Sequence, residues 1–258
     1  MAFDSAPSFL APYYSVIATT ADEVTLAVGA RQGSDFAKQM AGDFNPIHDE
    51  DSRRFCVPGD LLFALAVNRY GLRHKMAFSF TGMVGDGVAV NFPIAIEERG
   101  QVLNTAGKPL LEMTFSGATQ REPTLCESLI REYVAFSGHN FPHILVPLLA
   151  DSGVMINPDR PLVIYESMTL SFDNLNFSAP RLTHAGAHLE LNGKRGAVTL
   201  DFVINDSSQR EVGRGSKQLA IGALLPYDQE RMDLLVESFL ARKAAWSPAE
   251  EEALQDII

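Results

Sequence analysis

An acid and an imidazole stand five residues apart in Gly42-Asp43-Phe44-Asn45-Pro46-Ile47-His48, a segment that its Gly and Pro make a rigid turn. Asp43 and His48 are the residue types that give and take protons near neutral pH, so the pair could serve general acid–base chemistry. Asn45 is either an orienting group or the residue that builds the turn, because Asp and Asn beside Gly and Pro bond local backbone groups. Ten residues after His48, Pro58-Gly59 opens the apolar run Leu61-Leu62-Phe63-Ala64-Leu65-Ala66, which reads as the start of a buried helix. The Gly59 N–H at the head of that helix is a candidate donor to a developing oxyanion, aided by the helix dipole. The competing reading is that Pro58-Gly59 only starts the helix. Cys56, just ahead of it, reads as a small buried residue.

The elements that must hold these groups are stated twice along the chain. Val57-Pro58 and Val146-Pro147 each introduce an apolar helical run, and Asn91-Phe92 and Asn176-Phe177 each sit late in a strand-like run. Leu103-Asn104, Gly107-Lys108 and Phe115 recur as Leu191-Asn192, Gly193-Lys194 and Phe202. The offsets of 89, 85, 88 and 87 are close enough to one spacing to suggest a duplication. Partly alternating segments such as Leu110–Phe115 and Ala197–Phe202 predict half-buried strands, with the Gly-Lys pairs in hairpin turns. Each unit thus reads as a helical lead-in, a buried helix and three or four strands. After Asp228, apolar residues at helical spacing predict a C-terminal helix, and Ser247-Pro248-Ala249-Glu250 predicts the cap of a second. Neither is assigned any chemistry.

The turn also resembles a known signature. Gly42-Asp43-Phe44-Asn45-Pro46-Ile47-His48 is similar to the Gly-Asp-x-Asn-Pro-[apolar]-His motif of the MaoC-like, (R)-specific enoyl-CoA hydratases, which have the hot-dog fold. Phe36-Ala37 suits that family's lead-in, and the match covers roughly residues 30–70. The resemblance implies an α+β double hot dog: two repeats of a buried helix wrapped by a curved antiparallel sheet, plus C-terminal helices. The expected units are 1–125, which carries the motif, 126–226 with a degenerate motif, and a helical segment 227–258. The implied reaction is reversible hydration of a trans-2-enoyl thioester of CoA or an acyl carrier protein, with Asp43 and His48 activating the water. Asn45, Gly59, Phe63 and Asn68 are the candidate substrate-binding residues, and Arg53, Arg69 and Arg73 the candidate contacts to CoA phosphates. A possible second site is His139, His143 and Asp151, where Gly138-His139-Asn140-Phe141-Pro142-His143 faintly resembles the lead-in of hydroxyacyl carrier-protein dehydratases.

Three departures from the hydratase pattern keep two alternatives in view, a hot-dog thioesterase and a non-catalytic acyl-thioester-binding protein. The stretch from His48 to Gly59 is short, the residues at the helix start are Pro58-Gly59-Asp60, and no Ser lies in the helix body, where Asn68 is the nearest polar residue.

Composition narrows the rest. A chain of 258 residues with 46% hydrophobic and 21% charged residues fits a globular protein with a sizeable core. A net charge of −11 argues against nucleic-acid binding, which needs a basic surface. Cys56 and Cys126 are the only cysteines, which fits a reducing compartment better than a disulfide framework. With no long apolar run and no basic-then-apolar start at Met1-Ala2-Phe3-Asp4, the expectation is a cytoplasmic protein without a membrane segment. His184 and His188 lack a third ligand pattern, so neither metal nor cofactor is expected. The duplication leaves two arrangements open, a monomeric pseudo-dimer or a homodimer.

Overall fold

The computed structural model describes residues 8–246. The start at Met1-Ala2-Phe3-Asp4 and the helix expected from Ser247 lie outside the described residues.

The strands and helices follow each other in two comparable series. The first begins with β1 (Ser15–Thr19) and β2 (Glu23–Ala27), a pair not expected from the sequence. Then come α1 (Ala30–Asp35), a π-helical turn (Phe36–Ala41), the motif and α2 (Gly59–Tyr70). Strands β3 (Leu72–Phe80), β4 (Ala89–Pro93), β5 (Arg99–Asn104) and β6 (Pro109–Gln120) complete this half. The second half starts with α3 (Pro123–Gly138), α4 (Asn140–His143) and α5 (Leu145–Asp151), then the two-residue strand β7 (Val154–Met155). It closes with β8 (Leu162–Phe172), β9 (Arg181–Asn192), β10 (Arg195–Asn205) and β11 (Glu211–Gly222). The short strand β12 (Leu225–Pro226) pairs with β7, and α6 (Gln229–Ala245) follows.

Ten strands form one antiparallel sheet in the order β1-β2-β4-β5-β6-β3-β8-β11-β10-β9. The two halves meet where β3 pairs with β8, Phe78 opposite Met168 and Ser79 opposite Ser167. Outward from that seam the order is mirrored: β6, β5, β4 on one side and β11, β10, β9 on the other. This is the double hot dog, with the sheets joined side by side.

Sequence explains the layers. In β6, Leu111, Met113 and Phe115 are buried while Glu112, Thr114 and Ser116 are exposed; β10 alternates in the same way through Val198, Leu200, Phe202 and Ile204. Helix α2 is apolar on every side, so it can only be a buried helix; Leu61 to Val67 are all buried. Its core runs on across the seam, with Phe63 packed against Phe78 (5.2 Å between centroids) and Tyr133 of α3 (4.6 Å). A smaller core lies under α5, around Leu145, Leu149, Val198 and Leu219.

The expected strand correspondence needs correction. Both Gly-Lys pairs do sit in hairpins, but Gly107-Lys108 joins β5 to β6 whereas Gly193-Lys194 joins β9 to β10. By position in the sheet, the counterpart of the first is the β10–β11 turn, so the matched residues are one strand out of step. Asn176-Phe177 lies in the loop between β8 and β9 rather than in a strand, and Pro147 lies inside the seven-residue α5 rather than ahead of it. Similar turns and apolar alternation recur in every antiparallel hairpin, so short matches of this kind do not fix which hairpin is which.

Candidate functional site

The motif is held from both ends. Gly42 ends the π-helical turn at φ +65°, the left-handed conformation that glycine adopts without penalty. One Asp43 oxygen, Oδ1, accepts the Asn45 N–H (2.9 Å), and Asn45 Oδ1 accepts the Ile47 N–H (3.2 Å), which caps the 3-10 turn Pro46–His48. Asn45 is therefore the turn-former of the two roles considered for it, and it also lines the cavity described below. The loop after His48 is closed by Cys56 N–H donating to Ile47 O (3.0 Å).

His48 Nδ1 lies 2.7 Å from Cys56 O. A carbonyl only accepts, so Nδ1 carries a proton, and Nε2 is the nitrogen that a neutral ring would leave with a lone pair. Nε2 faces Asp43 Oδ2 at 3.7 Å, too long for a direct hydrogen bond. Both side chains line a cavity of about 490 Å³ that also reaches Pro58, Gly59 and Asp60 at the head of α2. The first N–H groups of a helix have no intrahelical acceptor, so those of Gly59 and Asp60 are available to a ligand. Gly59 has a second reason to be glycine: a Cβ there would stand 2.9 Å from Tyr165 Cδ1 and 3.4 Å from Phe80.

A second polar group shares the cavity, and sequence reasoning missed it. Asp60 of α2, Ser137 of α3 and Lys217 of β11 are buried and lie side by side. Ser137 Oγ donates to Asp60 Oδ2 (2.6 Å), and Lys217 Nζ donates to Ser137 Oγ. Lys217 Nζ is 3.8 Å from Asp60 Oδ1 and sits over the Tyr165 ring, 3.9 Å from its centroid. The Tyr165 hydroxyl in turn bonds that of Tyr133. Burial pushes the Asp60 carboxyl up from its ordinary range, opposed by the Lys217 charge and the Ser137 bond. The same burial pushes the Lys217 ammonium down, opposed by Asp60 and Asp43. Asn140, also buried, adds an amide to the cavity wall. One local signal existed: Lys217 falls in phase with the inward residues Leu219 and Ile221 of its strand. Nothing local marks Ser137.

Helix α6 forms part of the cavity wall, although the sequence assigned it no role there. Leu235, Ser238, Phe239 and Arg242 line it. Phe239 packs edge-on against Phe44 of the motif (6.1 Å) and against Phe141 (5.0 Å), and Arg242 bonds Asp49 in the loop after His48.

Other expected site residues fall elsewhere. Phe63 is fully buried in the core behind the cavity and does not line it, because the helix face that carries it points at Phe78 and Tyr133. Asn68 accepts a hydrogen bond from Ser8 near the far end of α2. Arg69 is buried and donates to the carbonyls of Pro93 and Ile94, and Arg73 donates to Ile96 O, so both tie backbone together rather than face phosphate. Arg53 is exposed in the loop after His48. The second site does not assemble: His139, His143 and Asp151 are all exposed, the two rings stack on each other, and none lines the cavity. Cys56 lines the cavity, but burial pushes its thiol up, away from the thiolate a nucleophile needs. Among the described residues, no cluster of three His, Cys, Asp or Glu could hold a metal ion, and no helix is long and apolar enough to cross a membrane.

Fold and site together define a double hot dog with the acid–imidazole pair Asp43 and His48 on a cavity. The chain belongs to the family described as "Protein of unknown function (DUF3581)", whose family model matches residues 8–230. No curated protein matches it. Among solved structures it is similar to a conserved protein of unknown function with a hot dog fold from Alicyclobacillus acidocaldarius. That pair shares 8% identity over 81% of this chain and 96% of the other, with a TM-score of 0.45. It is also similar to the peroxisomal multifunctional enzyme type 2 of Drosophila melanogaster (10% identity, 77% of this chain and 48% of that one, TM-score 0.44). A third is the acyl-CoA thioesterase II TesB2 of Mycobacterium marinum (9% identity, 66% and 91%, TM-score 0.36).

Proposed function

We propose that the protein is a hydratase/dehydratase acting on an acyl thioester of CoA or of a carrier protein. The observation that carries this reading is that Asp43 Oδ2 and His48 Nε2 stand 3.7 Å apart, and both residues line the cavity that also holds the head of α2. A water donating one hydrogen to each would turn an oxygen lone pair toward the substrate. One of the pair then takes a proton from the water as its oxygen adds to the β-carbon, and the same group, now protonated, gives that proton to the α-carbon. Charge passing onto the thioester oxygen meets the N–H groups of Gly59 and Asp60, a role that is often worth roughly 2.7–4 kcal/mol per donor. In this reading the unit 1–125 holds the water and 126–226 completes the pocket through Ser137, Asn140 and Lys217. Exposed Arg53 remains the candidate among the three arginines for a coenzyme phosphate.

The test is hydration of trans-2-enoyl-CoAs of several chain lengths, followed by loss of enoyl absorbance, with free thiol titrated in parallel. Consumption of the enoyl group without thiol release is expected. Thiol release instead would mean that the same water is directed at the carbonyl, making the protein a thioesterase. Binding with neither reaction would leave an acyl-thioester-binding protein.

A further inference from the structure

The two ends of the cavity differ in character. The lining residues Pro46, Met83 and Ile164 are exposed and open it beside the reaction centre. Pro46 belongs to the motif, Met83 precedes Val84, whose carbonyl accepts the Val57 N–H, and Ile164 precedes Tyr165, whose ring lies against Gly59. The other end is closed and apolar. Leu145, Ile156 and Leu219 line it from the smaller core under α5, a cluster separate from the core that holds Ala41 and Val57 on either side of the motif. All three are buried, at 3%, 3% and 5% exposure. A thioester at the head of α2 would therefore sit near the opening, and an apolar tail gains most by burying itself toward α5.

Helix α6 runs alongside the cavity from one end to the other. Arg242 bonds Asp49 next to His48, and Phe239, about one turn earlier, packs on Phe44 and Phe141. Leu235, a further turn back, lines the cavity and packs against the smaller core. From Arg242 to Leu235 the helix advances about 10 Å. An extended chain covers about 1.1–1.2 Å per bond, so about eight carbons span that length. The family match stops at residue 230, in the first turn of α6, so Leu235 comes from beyond the stretch that it covers. We infer that Leu235 of α6 sets the length of the acyl chain that the cavity accepts. The thioester lies at the open end by Gly59, the tail runs toward α5, and its last carbons end against the Leu235 side chain. The inference rests on the acyl-thioester reading above and deepens it, giving a substrate of medium chain length.

Binding of saturated thioesters tests this wall apart from any turnover. Titration calorimetry of the full chain would compare straight acyl-CoAs from butyryl to dodecanoyl, with the matching acyl-pantetheines in parallel. Affinity is expected to rise roughly fourfold for each methylene that becomes buried, and to level off at about eight carbons. Leu235→Ala shortens the side chain that stops the tail, so the rise should continue for about two carbons more. Leu235→Trp should end it earlier; if that variant fails to fold, Leu235→Ala decides. Leu234→Ala is the control, because Leu234 stands on the same helix at 60% exposure and does not line the cavity, so the wild-type profile should persist. A limit that stays at the same chain length in Leu235→Ala, or that moves equally in Leu234→Ala, overturns the inference, while octanoyl-CoA binding keeps the thioester reading. Failure of every acyl-CoA and acyl-pantetheine to bind overturns both readings.

Discussion

The chemistry rests on a few atoms. The His48 ring is set by one bond, Nδ1–H to Cys56 O, and this leaves Nε2 rather than Nδ1 to face Asp43. Asp43→Asn keeps the side-chain shape and the bond from the Asn45 N–H but loses the anionic oxygen. Turnover of an enoyl thioester is expected to fall by roughly 10²–10⁴, with ligand affinity and melting temperature little changed. Near-wild-type turnover in this variant would remove Asp43 from the reaction. Gly59 behaves differently. Gly59→Ala places a methyl group 2.9 Å from Tyr165 Cδ1, and overpacking of this kind typically costs about 1–3 kcal/mol. Both the melting temperature and acyl-CoA affinity should fall together, as calorimetry of the variant would show. At this scale the sequence was informative where the chemistry is contiguous: Asp43, Asn45, His48 and Gly59 all reach one cavity. It was silent on Ser137 and marked Lys217 only by its phase in β11; they meet Asp60 through the fold alone, across 77 residues from Asp60 to Ser137 and 80 from Ser137 to Lys217.

At the scale of elements, two contacts hold the motif in place from outside its own half. One is the contact of α6 through Phe239 and Arg242. The other is the end of α3, which presses so closely that a Cβ at Gly138 would come 1.8 Å from Ala41 O and 3.2 Å from Asp43 N. Gly138→Ala must therefore push the π-helical turn, and Asp43 with it. The expected outcome is a loss of turnover larger than the loss of thioester affinity, alongside a lower melting temperature; unchanged kinetics would show that the contact positions nothing. The hairpin between β10 and β11 offers a test far from the site. Asp206 there accepts bonds from the backbone and hydroxyl of Ser208 and from the backbone and side chain of Arg210, and these hold its carboxyl well below the usual range, the Ser208 hydroxyl most of all. A depressed carboxyl stabilises the fold above its ordinary pKa and loses that contribution as pH falls through the folded value. Asp206→Asn should lower the melting temperature at neutral pH, and the difference from wild type should shrink toward strongly acid pH. The strands of this hairpin were legible from their alternation, and α2 from its unbroken apolar run. The pairing of equivalent hairpins was not, because a Gly-Lys turn records that a hairpin exists and not where in a sheet it lies. Every residue of β1 is exposed, so that strand carries no inward pattern to read, whereas β2 does alternate through buried Val24 and Leu26 and its signal was overlooked.

Across the whole molecule, the Asp60–Ser137–Lys217 bridge links the central helix of one half to a helix and a strand of the other. Buried ion pairs of this kind add little net stability when intact, but removing one partner strands the other and costs about 3–5 kcal/mol. Lys217→Met does so, leaving the Asp60 carboxylate with Ser137 alone. The sign of the pH effect follows from the direction of the Asp60 shift. Burial already raises that carboxyl above its ordinary value, and the Lys217 ammonium is the group that most opposes the rise, so its loss raises the carboxyl further. The folded variant therefore binds the Asp60 proton more tightly than its unfolded chain does. Its stability is greatest below the ordinary carboxylate range and drains away as pH rises through the folded value. Denaturant unfolding of Lys217→Met should show a large deficit against wild type at neutral pH that narrows steadily as the solution is acidified. Adding Asp60→Asn removes the stranded charge, so the double variant should recover much of the neutral-pH deficit and lose the extra pH dependence. A deficit that stays constant with pH, or a double variant no more stable than Lys217→Met alone, would mean that the two halves are held together here by packing of the surrounding aromatics and not by this bridge.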